Sequence, residues 1–157
     1  GLIEALRSVD LPVYFVGEAR PMHRGYLRRC RRRARPGMHF LGRLGHEEVL
    51  TLMRGSELFV SPSRAETPGL ASLEAAAMGC RLALGSCPPV REYFGGGAVY
   101  FDPSDAAGIR DGVLQAMRTD PSDDFARRVL RDYDWSVAAA QTLDAYTAVL
   151  GLSSAGR

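Results

Sequence analysis

Residues 59–83, FVSPSRAETPGLASLEAAAMGCRLA, contain the pattern that decides the fold of this chain. The stretch opens with an apolar run that ends at Ser61, continues through a polar loop, and becomes helical in pattern after Pro68-Gly69. We expect the helix to end at Gly79, because proline is favoured in the first turn of a helix and glycine just past its last turn. A second apolar run begins at Leu82. The stretch therefore predicts a strand–loop–helix–strand unit.

The rest of the chain repeats this alternation of short apolar runs and helical patterns. The apolar runs show no alternation of apolar and polar residues, which is typical of strands that are buried on both faces of a parallel sheet. Strands that alternate with helices along the chain predict an α/β domain. We expect one domain over residues 1–152 and a disordered tail over residues 153–157. The predicted strands are 13–16, 38–41, 58–61, 82–84 and 98–101.

The composition is that of a soluble globular domain. The chain has 157 residues, of which 46% are hydrophobic and 24% are charged, so it can form a real core. A net charge of +2 gives no reason to expect a nucleic-acid partner, and no apolar run approaches the roughly 20 residues that cross a bilayer. Cys30, Cys80 and Cys87 form no metal-ligand pair, so we predict no metal site. The odd number of cysteines and the lack of a secretory leader pattern lead us to expect a cytoplasmic protein.

Two predicted helices have features outside the quoted stretch. One has an apolar face formed by Tyr26, Cys30 and Ala34, and its complementary positions hold the arginines of residues 28–35, RRCRRRAR. The first interpretation of these arginines is a solvated helix face, and the second is contact with anionic lipid headgroups, which would make the protein membrane-associated. Nucleic acid is disfavoured, because no aromatic side chains interleave with the charge.

The last helix begins at about Trp135, which we expect to anchor it in the core.

The start of the helix after Pro68-Gly69 is the predicted anion site. It lies at the carboxyl end of a parallel strand, where open α/β sheets bind their ligands. The free backbone N–H groups of Gly69, Leu70 and Ala71, together with the helix dipole, suit a diphosphate. Gly69 also lets the backbone come close to such a ligand.

Two carboxylates belong to the same unit. Glu66 lies in the loop and Glu74 lies in the helix, with seven residues between them. The helix is apolar on most sides and should be buried, and a buried carboxylate is costly unless it accepts hydrogen bonds. The hydroxyl groups of a sugar and a ribose are suitable donors. The alternatives at this stage are a solvent-facing Glu74 and a Glu66 that caps the helix.

The segment resembles the E-x7-E motif of the group 1 glycosyltransferases, which is usually written P-S-x-x-E-G-F-G-L-x-x-x-E-A-x-A-x-G. It departs from the motif at Thr67 and Pro68, where Gly-Phe is commoner. Further along the chain, Val16-Gly17-Glu18 is similar to the family's V-G-x-G turn, and Phe40-Leu41-Gly42-Arg43 is similar to its F-L-G strand end. The motif positions that match are Pro62, Ser63, Glu66, Gly69, Leu70, Glu74, Ala75, Ala77 and Gly79.

The resemblance implies a Rossmann-like, doubly wound parallel sheet, the C-terminal, donor-binding half of a glycosyltransferase with the GT-B fold. Such enzymes transfer a sugar from a UDP-, GDP- or ADP-sugar with retention of configuration, without a metal or cofactor, and polysaccharide biosynthesis is a common setting. By position, Glu66 would contact the donor sugar at the reacting centre and Glu74 would accept from the ribose hydroxyls. The remaining donor-binding positions would be Thr67, Pro68, Gly69, Leu70, Ala71, Arg43 and Gly17.

One part of the family pattern is missing from this sequence. The family's donor half begins with a strand and a loop whose Arg and Lys hold the diphosphate, whereas this chain starts at the helix that follows. We therefore expect the first strand and the N-terminal acceptor-binding domain to be absent, and the chain to be inactive alone. The missing strand is central in a doubly wound sheet, so the strands at Val13 and Leu58 would either pair directly or expose apolar edges.

A second function class stays open, a non-catalytic Rossmann-like module that binds a nucleotide or a protein partner. The paired Glu66 and Glu74 argue against it, while the missing cations favour it. A sugar-nucleotide epimerase is disfavoured because that group lacks the E-x7-E spacing. A dinucleotide oxidoreductase is disfavoured because no G-x-G-x-x-G follows the first apolar run.

Overall fold

The computed structural model describes residues 1–67, 69–120 and 123–151, and strands alternate with helices through them. Every predicted strand is present, with its ends within one residue of the prediction. The predicted tail at residues 153–157 lies outside the described residues. The strands are β1 (Val13–Val16), β2 (Met38–Gly42), β3 (Leu58–Ser61), β4 (Arg81–Gly85) and β5 (Val99–Phe101). The helices are α1 (Leu2–Ala5), α2 (Arg24–Arg33), α3 (His46–Arg54), α4 (Leu70–Ala77), α5 (Pro88–Phe94), α6 (Ala106–Ala116), α7 (Asp123–Asp132) and α8 (Trp135–Val149).

The strands pair in parallel, and helices cover both faces of the sheets. β1 pairs with β2, and β4 lies between β3 and β5. Helices α3, α4 and α5 contribute to one apolar core, while α1 and α6 contribute to the other on the opposite face. This arrangement is the predicted parallel α/β architecture, wound on both sides.

The sheet is interrupted between β1 and β3. Of the two outcomes that the sequence left open, direct pairing does not occur, since no strand pairing joins β1 to β3 in the part of the chain that the structure describes. A cavity of about 350 Å³ lies between the two strands instead. Each of these strands therefore has one paired edge and one open edge.

Helix α4 packs closely on the sheet because its inward residues are small. Ala75 and Ala76 are fully buried, and Leu73 is buried beside them. Cys80 follows the helix, and its thiol donates a hydrogen bond to the carbonyl of Met53 at 3.0 Å. Burial raises the pKa of this thiol. Cys80 therefore packs as a small residue of the core.

The prediction that one face of α2 is apolar and buried is largely wrong. No residue of α2 is buried, Tyr26 is 64% exposed and Cys30 is half-buried. The attachment comes from Arg35, just beyond the helix, whose guanidinium donates hydrogen bonds to the backbone carbonyls of Leu6, at 3.3 Å, and Val9. Arg35, together with Ala34, which packs against the core that includes α1 and α6, thus ties this end of α2 to the domain.

The prediction that Trp135 anchors the last helix in the core is also wrong. Trp135 is 78% exposed, and none of the residues of α8 is buried. The helix starts at a polar cap, where the Asp134 carboxylate accepts a hydrogen bond from the amide of Ser136 at 2.8 Å. Helical periodicity identifies an apolar stripe but does not identify what the stripe packs against.

Within the described ranges, no helix is long and apolar enough to cross a bilayer.

A close approach of two backbone segments gives a test of this packing. A Cβ atom at Gly85 would lie 2.2 Å from the carbonyl oxygen of Ser63, so Gly85→Ala must displace the loop after β3. We expect it to lower the free energy of unfolding by about 1–3 kcal/mol, as overpacked substitutions do. Urea denaturation would measure this. Gly96→Ala is the matched control, because no atom lies within 4 Å of its added Cβ. Equal unfolding midpoints for the two variants would contradict the packing described.

Candidate active site

The candidate site lies at the carboxyl end of β3, where the loop leads into α4. Gly69 is the N-cap residue of α4 and has a φ of 68°, a left-handed conformation that favours glycine. No side chain caps α4 among the described residues. Glu66 therefore does not fill the capping role that the sequence left open for it. The amides of Leu70 and Ala71, in the first turn, are available to an anion.

The loop between β3 and α4 is held against the neighbouring strand. The Ser63 backbone lies directly against Gly85, the last residue of β4. The hydroxyl of Ser61 also donates a hydrogen bond to the hydroxyl of Ser63, at 3.3 Å. A glycine at position 85 is therefore what allows the loop to lie across the carboxyl end of β4. Sequence reasoning did not identify Gly85, because nothing in its local pattern distinguishes it from a strand-end glycine.

Glu66 and Glu74 are both half-buried at this site. Glu74 lies on α4 between the buried Leu73 and Ala75. Among the described residues, neither carboxylate takes part in a hydrogen bond or a salt bridge. Two carboxylates that are partly withdrawn from water and have no protein donor are suited to accept hydrogen bonds from a ligand. Thr67 and Leu70 are exposed beside them, and Pro68 lies outside the described residues.

Arg64, to which the sequence analysis gave no role, adds positive charge to this edge. Hydrogen bonds from the hydroxyl and amide of Ser104, at 2.6 and 2.8 Å, hold the pKa of Asp102 below its ordinary value, and the nearby guanidinium of Arg64 adds to this effect. Asp102 follows β5 directly, so Arg64 extends from the loop after β3 toward the end of β5. Only its place in the quoted loop could have indicated it.

A second unassigned arginine, Arg91 on α5, is fixed close by. Its guanidinium donates a hydrogen bond to the hydroxyl of Ser86 at 2.8 Å and lies 4.5 Å from the centre of the Tyr100 ring. Ser86 follows β4, so this cation also belongs to the carboxyl ends of the strands. No sequence motif marks Arg91, and only the packing of α5 on β5 reveals it.

Gly17 and Arg43 form a separate group at the ends of β1 and β2. Gly17 has a φ of 133°, and its amide donates a hydrogen bond to the carbonyl of Gly42 at 2.8 Å. Arg43 comes next in the chain and is exposed. No described hydrogen bond joins this group to the loop before α4. Helix α3, which begins just after Arg43, packs against α4 in a shared apolar core and so connects the two groups.

Metal ligands do not gather at the site or elsewhere in the described residues, where no three His, Cys, Asp or Glu side chains are placed to share an ion. The structure thus brings together Glu66, Thr67, Gly69, Leu70, Ala71 and Glu74 through one loop and one helix. The roles of these residues in a reaction stay predictions.

Comparisons with known proteins agree with the fold. The glycosyltransferase from Rickettsia africae superposes with a TM-score of 0.83 at 15% identity, over 97% of this chain and 44% of its own. The structure of HepE from Anabaena in complex with UDP and glucose superposes with a TM-score of 0.76 at 16% identity, over 93% of this chain and 43% of its own. At these identities the likeness establishes the fold alone, and it confirms the predicted Rossmann-like arrangement.

Sequence comparisons identify the family. The glycogen synthase of Mycobacterium tuberculosis is 33% identical over 117 residues, which make up 69% of this chain and 28% of that protein. The chain thus corresponds to little more than a quarter of that relative's length. The family model of the glycosyl transferases group 1 matches residues 2–119. The chain belongs to the group 1 glycosyltransferases.

Proposed function

We propose that this chain is the donor-binding part of a retaining glycosyltransferase that needs neither a metal nor a cofactor. The observation that carries the proposal is the uncapped start of α4, flanked by the half-buried carboxylates of Glu66 and Glu74. One helix terminus and two acceptors match three of the four parts of a nucleoside diphosphate sugar, namely its diphosphate, its ribose and its sugar. Family membership favours cytoplasmic synthesis of a polysaccharide or a related glycoside as the setting.

The diphosphate would bind at the first turn of α4. The amides of Leu70 and Ala71 and the positive end of the helix dipole favour negative charge there. The loop that carries Thr67 would wrap the phosphates, and Arg64 would add a mobile cation. Charge develops on the diphosphate as it departs, so each donor that meets it is expected to stabilise the transition state by about 3 kcal/mol.

The positions of the other residues assign them to the remaining parts of the sugar nucleotide. Glu74, one turn inside α4, would accept hydrogen bonds from the ribose hydroxyls. Glu66, in the loop, would accept from the hydroxyls of the transferred sugar near the reacting carbon. Gly17 and Arg43 would border the base, since both lie at strand ends beside the start of α3.

The assignment of Glu74 predicts a loss of nucleotide affinity. We expect the chain to bind one of UDP, GDP and ADP selectively, and Glu74→Gln to weaken that binding about ten- to a hundredfold, since a charge-assisted hydrogen bond contributes about 1.5–3 kcal/mol. Isothermal titration calorimetry would measure this. Asp144→Asn is the matched control, because it neutralises an exposed carboxylate on α8.

The same titration distinguishes the roles of Glu66 and Glu74. We expect Glu66→Gln to leave nucleoside diphosphate affinity unchanged and to weaken only the additional binding of the sugar nucleotide. Equal losses for both ligands would contradict the division of roles between Glu66 and Glu74. If no nucleotide binds the unmodified chain, and none binds after a cationic loop of the family type is added upstream, the non-catalytic partner-binding module becomes the better interpretation.

The acceptor would bind to a second, N-terminal domain of a longer polypeptide. The length of the glycogen synthase relative supports this part of the proposal, since the matched residues span only 28% of that protein. Transfer needs donor and acceptor held close together, which a second domain across a cleft would provide.

We therefore expect the purified chain to bind a sugar nucleotide without turning it over. The measurement is release of nucleoside diphosphate from UDP-, GDP- and ADP-sugars in the presence of simple sugar and polyol acceptors. Addition of an N-terminal half from the same polypeptide should restore release. Sustained release by the chain alone, above that of its Glu66→Gln variant, would refute the expectation.

Of the predicted stretch 28–35, the arginines that lie on α2 support a contact with anionic lipid, whereas Arg35 is bound to backbone carbonyls. Every arginine of α2 is exposed, the helix contains no acidic residue, and none of these arginines forms a salt bridge with a described residue. The side chains of Met22 and Tyr26 are exposed next to them. Each arginine near an anionic membrane contributes about 1 kcal/mol, so several together hold a protein at the surface.

Vesicle sedimentation tests this contact. We expect the chain to bind vesicles that contain phosphatidylserine but not vesicles of phosphatidylcholine alone, and to be released by salt. Replacement of Arg28, Arg29, Arg32 and Arg33 by Gln should weaken binding more than about tenfold. Replacement of Arg127 and Arg131, which pair with Asp124 and Asp132, is the control and should have little effect. Equal effects of the two sets would exclude a specific role for α2.

A further inference from the structure

Ser72, in the first turn of α4, is a polar residue on the buried face of that helix. Only 5% of it is exposed, and among the described residues it is the only polar one that is buried. Ala75 and Ala76 continue the same inward face one turn further along the helix. Alanine at position 72 would pack as closely, with a higher helix propensity and without a polar atom to withdraw from water. Packing therefore does not explain the hydroxyl group.

The Ser72 hydroxyl has no hydrogen-bond partner among the described residues. The amide of Ser72 differs, because it donates to the carbonyl of Gly69 at 2.8 Å. A buried hydroxyl without a partner is unfavourable, and folded proteins keep few of them. In the described part of the chain, no fully enclosed side-chain oxygen lacks a partner, so the Ser72 oxygen keeps some contact with solvent. A hydroxyl that is buried on most sides and open on one is suited to bind a ligand.

The hydroxyl is directed toward the start of α4. A Cβ atom added to Gly69, the N-cap residue, would lie 3.5 Å from Oγ of Ser72 and 3.8 Å from its Cβ, so the oxygen is the nearer atom. Because position 69 is a glycine, no side chain fills the space beside the hydroxyl. The amides of Leu70 and Ala71 belong to the same first turn and need partners from outside the helix. The hydroxyl thus joins free backbone donors at one helix terminus.

We propose that the Ser72 hydroxyl is a ligand-binding group of the candidate site and donates a hydrogen bond to a phosphate oxygen held at the amides of Leu70 and Ala71. This inference rests on the proposed function, since it takes a diphosphate as the ligand. It adds a side chain to a phosphate site that the backbone otherwise forms. A serine hydroxyl turns about its own C–O bond, so it reaches the ligand without any movement of the helix.

Calorimetric titration of the 157-residue chain with UDP, GDP, ADP and inorganic pyrophosphate tests the proposal. We expect Ser72→Ala to weaken the binding of pyrophosphate and of the preferred nucleotide by at least about tenfold, because a hydrogen bond to a charged group is lost. Glu74→Gln should weaken the binding of the nucleotide alone, because pyrophosphate has no ribose.

Urea denaturation of the ligand-free variants distinguishes a ligand-binding hydroxyl from a structural one. Ser72→Ala should leave the unfolding midpoint unchanged or raise it, because it removes a polar atom that has no partner from a buried position. Ser56→Ala is the matched control. The Ser56 hydroxyl donates to the carbonyl of Leu52 at 2.7 Å, so this variant should lower the midpoint and leave the affinities unchanged.

Weaker binding of both ligands by Ser72→Ala, with an undiminished midpoint, supports the proposal. Unchanged affinities in Ser72→Ala overturn it, and the donor site itself still stands if Glu74→Gln weakens nucleotide binding. A lowered midpoint in Ser72→Ala also overturns it, because the hydroxyl would then stabilise the free chain. If the unmodified chain binds none of these ligands, the titrations are repeated with a cationic loop of the family type added upstream. The absence of binding there overturns the proposed function together with this inference.

Discussion

A parallel strand has to be covered on both faces, and this requirement organises the whole molecule. Short apolar strands without alternation leave no face for water, so each is followed by a helix that returns over the sheet. The helices fall on opposite faces in two groups, with α3, α4 and α5 on one and α1 and α6 on the other. Because all the connections run the same way, the carboxyl ends of paired strands and the starts of the following helices meet at one edge. The candidate site is a consequence of that geometry.

At this edge, glycines decide how closely polar backbone can approach. Gly69 adopts the left-handed conformation that starts α4 without a capping side chain, so the first amides of the helix are left for a ligand. At Gly85, the Ser63 carbonyl occupies the space that a Cβ atom would need, so the loop can lie against β4. Arg64 and Arg91 add positive charge near the carboxyl ends of β4 and β5. We propose that this region binds an anionic ligand, and that Glu66 and Glu74 would accept hydrogen bonds from the hydroxyl groups of that ligand.

Several surfaces of the domain expose apolar residues or open strand edges, which is typical of surfaces that contact another molecule or domain. The facing edges of β1 and β3 have no strand partner among the described residues, and α8 exposes Trp135, Tyr146 and Val149, the last at 85%. Exposed apolar residues in such number indicate an interaction surface rather than a solvent-facing one. The chain corresponds to 28% of the length of the glycogen synthase relative.

The sequence by itself determined the strands, the helix after Pro68-Gly69 and the family, because each depends on local composition and on spacing along the chain. The sequence also identified the candidate carboxylates, since Glu66 and Glu74 lie in one motif of fixed length. Tertiary structure alone decided that Tyr26 and Trp135 are exposed, that Arg35 anchors α2, and that Gly85, Arg64 and Arg91 lie near the carboxyl ends of the strands. The physical reason is the same in each case. Periodicity shows which residues share a face, whereas the partner of that face is contributed by residues distant in the chain, and only the packed structure brings them together.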